Sequence, residues 1–162
     1  ALFQAAYCKY LEAPDYTLDQ TLTKQSMDAF QEYIEKYPNS ERVAEANKLM
    51  DELRENLIEK DYQNAFNYYK TMQYHAACVS FKRFLNDYPD VSQKRENAMY
   101  YIVLAGYKYA NNSVEDKLKE RFEEVILDYE RYSVVFANMK DEKKRKELEN
   151  IYNESKIKYN GL

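Results

Sequence analysis

The sequence predicts an all-α chain of about seven helices arranged as a helix-pair solenoid, and three observations predict it. Breakers are scarce, with two Gly and three Pro in 162 residues, whereas an all-β chain needs a turn signal every ~8–12 residues. Apolar residues recur at i, i+3, i+4 and i+7 in three windows, one stripe of a helix each time. The windows are Phe30, Tyr33, Ile34 and Tyr37; Phe81, Phe84, Leu85 and Tyr88; and Phe122, Val125, Ile126 and Tyr129. Finally, no Gly or Pro interrupts the chain from Ser40 to Met72.

The elements follow in order. A first helix is expected near 1–11 and a second over 17–37. The second ends at Tyr37-Pro38, because proline lacks an N–H and disfavours α geometry in the residue before it. Asn39-Ser40 offers a cap for a restart. Val43, Ala46, Met50, Leu53, Leu57, Ala65, Tyr68 and Met72 then keep helical spacing, which predicts one long helix near 40–72. At 1.5 Å per residue it spans roughly 45 Å, and a break at Glu59-Lys60-Asp61 is the alternative. A helix over 74–88 stops at Tyr88-Pro89, with Asp90 and Ser92 as caps for the next, 92–111. The third window lies in a helix over 114–132, with Glu130 where the proline would sit. The weakly apolar stretch 138–159 (Met139, Leu148, Ile151, Tyr152, Tyr159) suits a solvent-facing terminal cap.

The windows are 51 and 41 residues apart, so a tetratricopeptide period of about 34 residues would here carry insertions. Small residues precede the second and third windows, Ala65 and Ala77 in one case, Ala105 and Gly106 in the other. They let a second helix approach the first. The expected organisation is a single domain, 1–162, with repeat units near 1–38, 58–90 and 98–132 and a cap helix over 138–159.

Composition excludes several functions. The net charge of −4 and pI near 5.2 disfavour nucleic acid, which needs clustered cations. The basic run Lys140–Lys146 contains Asp141 and Glu142 and reads as a solvated helix face. The longest apolar stretch, Ala98–Ala105, is far short of the ~20 residues of a membrane span. Gly106 and Gly161 stand too far apart for a phosphate loop. His75 is the only histidine, so no histidine ligand cluster or Ser-His-Asp triad is available. No enzyme, metal or cofactor is therefore expected. Cys8 and Cys78 have no metal-binding spacing and read as two buried free thiols. The chain opens mid-pattern at Ala1-Leu2-Phe3, as a trimmed piece would.

In a helix-pair array, residues off the core stripe of each first helix face the concave groove. These are Tyr62, Phe66, Tyr69 and Lys70 on the long helix, and Tyr100, Val103 and Tyr107 on the 92–111 helix. They either anchor a partner or pack against the next repeat.

With Phe-x-x-Tyr-Ile-x-x-Tyr-Pro-Asn-Ser at 30–40 and Phe-x-x-Phe-Leu-x-x-Tyr-Pro-Asp at 81–90, the chain resembles BamD, the lipoprotein family of outer-membrane β-barrel assembly. Ser26–Pro89 follows that family in order and spacing, including Tyr-Gln-Asn-Ala-Phe-Asn-Tyr-Tyr at 62–69. Residues 92–132 follow its next helix pair. The resemblance implies a non-enzymatic scaffold at the periplasmic face of the outer membrane. Its partners would be the barrel subunit's periplasmic domains and unfolded outer-membrane protein segments. It implies too that this is a fragment lacking the N-terminal part, whose lipid anchor is the only membrane contact. Ala5-Ala6-Tyr7-Cys8 is a poor lipobox, and the loop Ala13–Thr17 is short for the family. A Tol-Pal coordinator-like adaptor that binds a peptide tail shares the Tyr-Pro windows and is the alternative.

Overall fold

A computed structural model describes the backbone of residues 1–162 and every side chain except those of Ser92 and Gln93. The cap expected from Ser92 thus lies outside the described residues. Seven helices follow one another: α1 (Leu2–Glu12), α2 (Thr21–Lys36), α3 (Val43–Lys70), α4 (Tyr74–Asp87), α5 (Ser92–Asn111), α6 (Glu115–Ala137) and α7 (Glu142–Gly161). They form two compact units, Ala1–Asp61 and Tyr62–Leu162. Residues 43–61 of α3 belong to the first and 62–70 to the second.

In the first unit Phe3 and Ala6 of α1 pack on Phe30 and Tyr33 of α2 and on Ala46 and Leu53 of α3. The Phe3 ring meets Phe30 edge-on at 5.7 Å and Tyr33 at 5.3 Å. The α2 helix begins four residues later than its spacing predicts. The carboxylates of Asp15 and Asp19 accept from the backbone N–H of Thr17 and Thr21, two residues on, and this turn competes with the helix. Lys60 of α3 holds the same loop by donating to the Leu18 carbonyl at 2.6 Å. After the Tyr37-Pro38 stop, the Ser40 hydroxyl pairs with Tyr33 Oη at 2.5 Å and accepts from the Arg42 N–H. That turn delays α3 to Val43. From there α3 runs unbroken through Glu59–Asp61.

At the end of α3, Gln73 N–H donates to the Tyr68 carbonyl and Met72 N–H to that of Tyr69. This is the paired closure in which the cap residue sits in the left-handed region. Met72 occupies it at φ 61°, with its side chain 72% exposed. An L-residue is strained there while glycine is not. Met72→Gly is therefore expected to raise stability by about 0.5–1 kcal/mol, read as a higher urea midpoint at unchanged slope.

In the second unit the core holds Phe81, Phe84 and Leu85 of α4, Ile102 and Val103 of α5, Phe122 and Val125 of α6, and Leu148 of α7. Of the residues expected in the core, Phe30, Phe81, Leu85 and Phe122 are buried. Ile34 and Ile126 are only half-buried, since Tyr33 and Val125, one position earlier, take the core side in those windows. A Cβ built on Gly106 would stand 3.4 Å from Val125 Cγ2, which is the close approach that a small residue permits. Past Tyr88, Arg95 of α5 donates to the carbonyls of Leu85 and Tyr88 and so closes the end of α4. With Glu130 in place of proline, α6 continues to Ala137, beyond its expected end. Asp141 then caps α7, accepting from Lys144 N–H at 3.1 Å.

Candidate functional site

The aromatic residues expected to face a groove gather in the second unit around Tyr101. Its ring lies 5.1 Å from that of Phe66, 5.0 Å from Tyr69 and 5.5 Å from Phe81, stacked on the last at 11°. Phe66, Tyr69 and Tyr101 are half-buried and Lys70 is exposed. Cations border this strip. The Lys70 ammonium is 5.1 Å from the Phe66 ring, and that of Lys108 is 5.3 Å from Tyr69 and 5.6 Å from Tyr74, within cation–π range. Tyr69 beside it, through its hydroxyl, raises the Lys108 pKa. Phe66, Tyr69 and Lys70 are thus brought together, whereas Tyr62 turns inward and meets Phe81 and Phe84 edge-on at 5.7 and 5.6 Å.

The α5 residues need correction. Val103 is 0% exposed and Tyr100 is buried, so neither lies on an open groove wall. The reason is α7, which runs parallel along α5 at a constant offset of 47 residues. Lys144 donates to Asn97, Tyr100 to Glu147, Tyr107 to Glu154 and Lys158 to Asn111. Tyr100 and Tyr107 stand seven residues apart, as do Glu147 and Glu154, so the seam repeats with the heptad of parallel paired helices. Each tyrosine also receives a lysine over its ring, Lys144 at 5.0 Å and Lys158 at 5.2 Å. Burial first, then the carboxylate acceptor, raises the pKa of both hydroxyls, which keeps them donors at neutral pH.

Residues 3–121 match the family described as YfiO, outer membrane lipoprotein. The chain belongs to the YfiO family. The match supports the resemblance carried by the Tyr-Pro windows. In this YfiO-family chain it runs from α1 into α6, so it takes in Phe66, Tyr69, Lys70, Tyr101 and Lys108 and ends before α7. No curated protein matches the chain.

Elsewhere in the YfiO-family chain the expectations resolve one by one. Cys8 is exposed, because α1 turns Phe3 and Ala6 inward and Cys8 outward, so the expectation of two buried thiols fails at Cys8. Cys78 is half-buried with its thiol against the Ile102 carbonyl, and burial pushes its pKa up to about 12. His75 is exposed and lies 5.0 Å from the Tyr109 ring. Among the described residues no group of three or more His, Cys, Asp or Glu is placed to hold a metal ion. Nor is any helix of the described residues long and apolar enough to cross a membrane. Sequence reasoning missed Tyr101, Tyr74 and Lys108. The only signal for Tyr101 was its place beside Tyr100, with nothing to say which of the two faces outward.

Proposed function

We propose that this chain is a non-enzymatic scaffold of the outer-membrane β-barrel assembly machinery, acting at the periplasmic face of the membrane. It docks the barrel subunit's periplasmic domains, and it engages unfolded outer-membrane protein segments. A lipid anchor on the full-length protein holds it there. What supports the reading is the family match together with one surface feature, the half-buried strip of Phe66, Tyr69 and Tyr101 bordered by Lys70 and Lys108. Tyrosine offers a large contact area with only two side-chain torsions to freeze, so such a strip suits an extended or folded partner. The helices behind it supply rigidity and no chemistry.

Tyr69→Ala tests this. The variant is expected to weaken binding to the barrel subunit's periplasmic domains by about 2 kcal/mol, measured by calorimetry on the folded protein. The Tyr69 ring touches Phe66, Tyr74 and Tyr101, so some loss of melting temperature accompanies it. Unchanged affinity per folded molecule, with stability loss alone, would mean that the strip is core and not a docking surface.

A further inference from the structure

Beside the strip, α5 and α7 border a cleft of about 500 Å³ whose walls include Leu104, Tyr107, Lys108, Lys143, Lys146 and Glu147. We propose that this cleft binds a carboxylate-bearing, extended segment of a protein partner, with Lys108 and Lys143 as the anchors for its carboxylates. The inference rests on the scaffold reading above and names the chemistry of the partner.

Charge complementarity carries it. Three lysines line the cleft, on a chain whose net charge is −4. An acidic segment is repelled by the protein as a whole and attracted here, which makes the cleft selective. The cleft's own carboxylates do not neutralise Lys108 and Lys143. Glu147 accepts from the Tyr100 hydroxyl at 2.6 Å and Glu154 from that of Tyr107. Lys146 pairs with Glu142 at 2.8 Å. Among the described residues Lys108 and Lys143 enter no ion pair, and Lys143 is exposed. Lys108 is steered by the Tyr69 and Tyr74 rings, which places its ammonium where the aromatic strip meets the cleft. Apolar floor is supplied by Leu104 and Ile151. A segment alternating acidic and aromatic residues therefore finds both a cation and an apolar surface at each step.

The test uses the full chain and two short fluorescein-labelled peptides with amidated C-termini, one alternating Asp and Phe, the other Asn and Phe. Fluorescence anisotropy is expected to show the Asp peptide binding about tenfold tighter, an advantage that shrinks with added salt. Lys108→Gln/Lys143→Gln should reduce its affinity to that of the Asn peptide at unchanged melting temperature. Lys143→Gln alone, at an exposed position, should give part of that loss and guards against a folding defect in the double variant. Equal affinity for the two peptides, binding of neither, or an Asp preference that survives the double variant overturns the proposal. The barrel subunit's periplasmic domains, measured on the same proteins, separate the two readings. If wild type and double variant bind the domains equally, the carboxylate cleft falls and the scaffold stands. If wild type does not bind them while the lysine-dependent Asp preference holds, the scaffold falls and the cleft stands.

Discussion

Phe81→Ala is expected to destabilise the second unit by about 3–5 kcal/mol, the range for truncating a fully buried phenylalanine. Phe81 is 0% exposed and holds two neighbours, Tyr62 edge-on at 5.7 Å and Tyr101 stacked at 5.5 Å. The cost has two parts: the lost burial of the ring, and a cavity that the α4–α5 packing cannot fully close. Phe81→Leu keeps most of the volume and should cost less than about 1.5 kcal/mol. Urea unfolding of both variants checks the pair. Similar small losses for the two would mean that the second window does not pack as a core. Because Tyr101 is the hub of the docking strip, Phe81→Ala should also weaken partner binding in the fraction that remains folded, and Phe81→Leu should not.

The windows were legible because they depend only on local spacing. Phe30, Phe81 and Phe122 mark the core, and Tyr-Pro marks where α2 and α4 stop. The long helix was legible for the same reason, as was the consequence of Glu130, which replaces a breaker and lets α6 run on. The α5–α7 seam was not legible. Its partners are Asn97 with Lys144, Tyr100 with Glu147, and Asn111 with Lys158. These are polar residues 47 positions apart, and they leave no apolar periodicity to find. That seam covers the α5 face assigned to the groove, which is why Tyr100 and Val103 changed sides while Phe66 and Tyr69, on α3, did not. The late start of α2 had a signal in Asp15 and Asp19, but helical spacing through Leu18 and Leu22 outweighed it. Tertiary burial shows both leucines exposed, so the outward stripe was mistaken for the inward one.

Lys82→Met is expected to cost about 2–4 kcal/mol, although the lysine side chain is itself 38% exposed. The reason lies with its partner. Asp128 of α6 is buried, 2.7 Å from the Lys82 ammonium, and the remaining cation, Arg131, stands at 3.5 Å and is largely exposed. Removing Lys82 leaves a carboxylate out of water with one distant counter-charge, and breaking such a pair costs more than the pair contributes. Retained attraction to Arg131 sets the estimate below the ~3–5 kcal/mol of a fully enclosed pair. The double variant Lys82→Met/Asp128→Leu should recover most of the loss, since it removes the buried charge along with its partner. Arg83→Met supplies the contrast. Arg83 pairs with Asp87 at 3.2 Å on the same helix, with both side chains in solvent, and its loss should stay below about 1 kcal/mol. Thermal and urea unfolding of the three variants decides the point. If Lys82→Met behaves like Arg83→Met, Asp128 is hydrated in solution and α4 and α6 are held by their apolar faces alone.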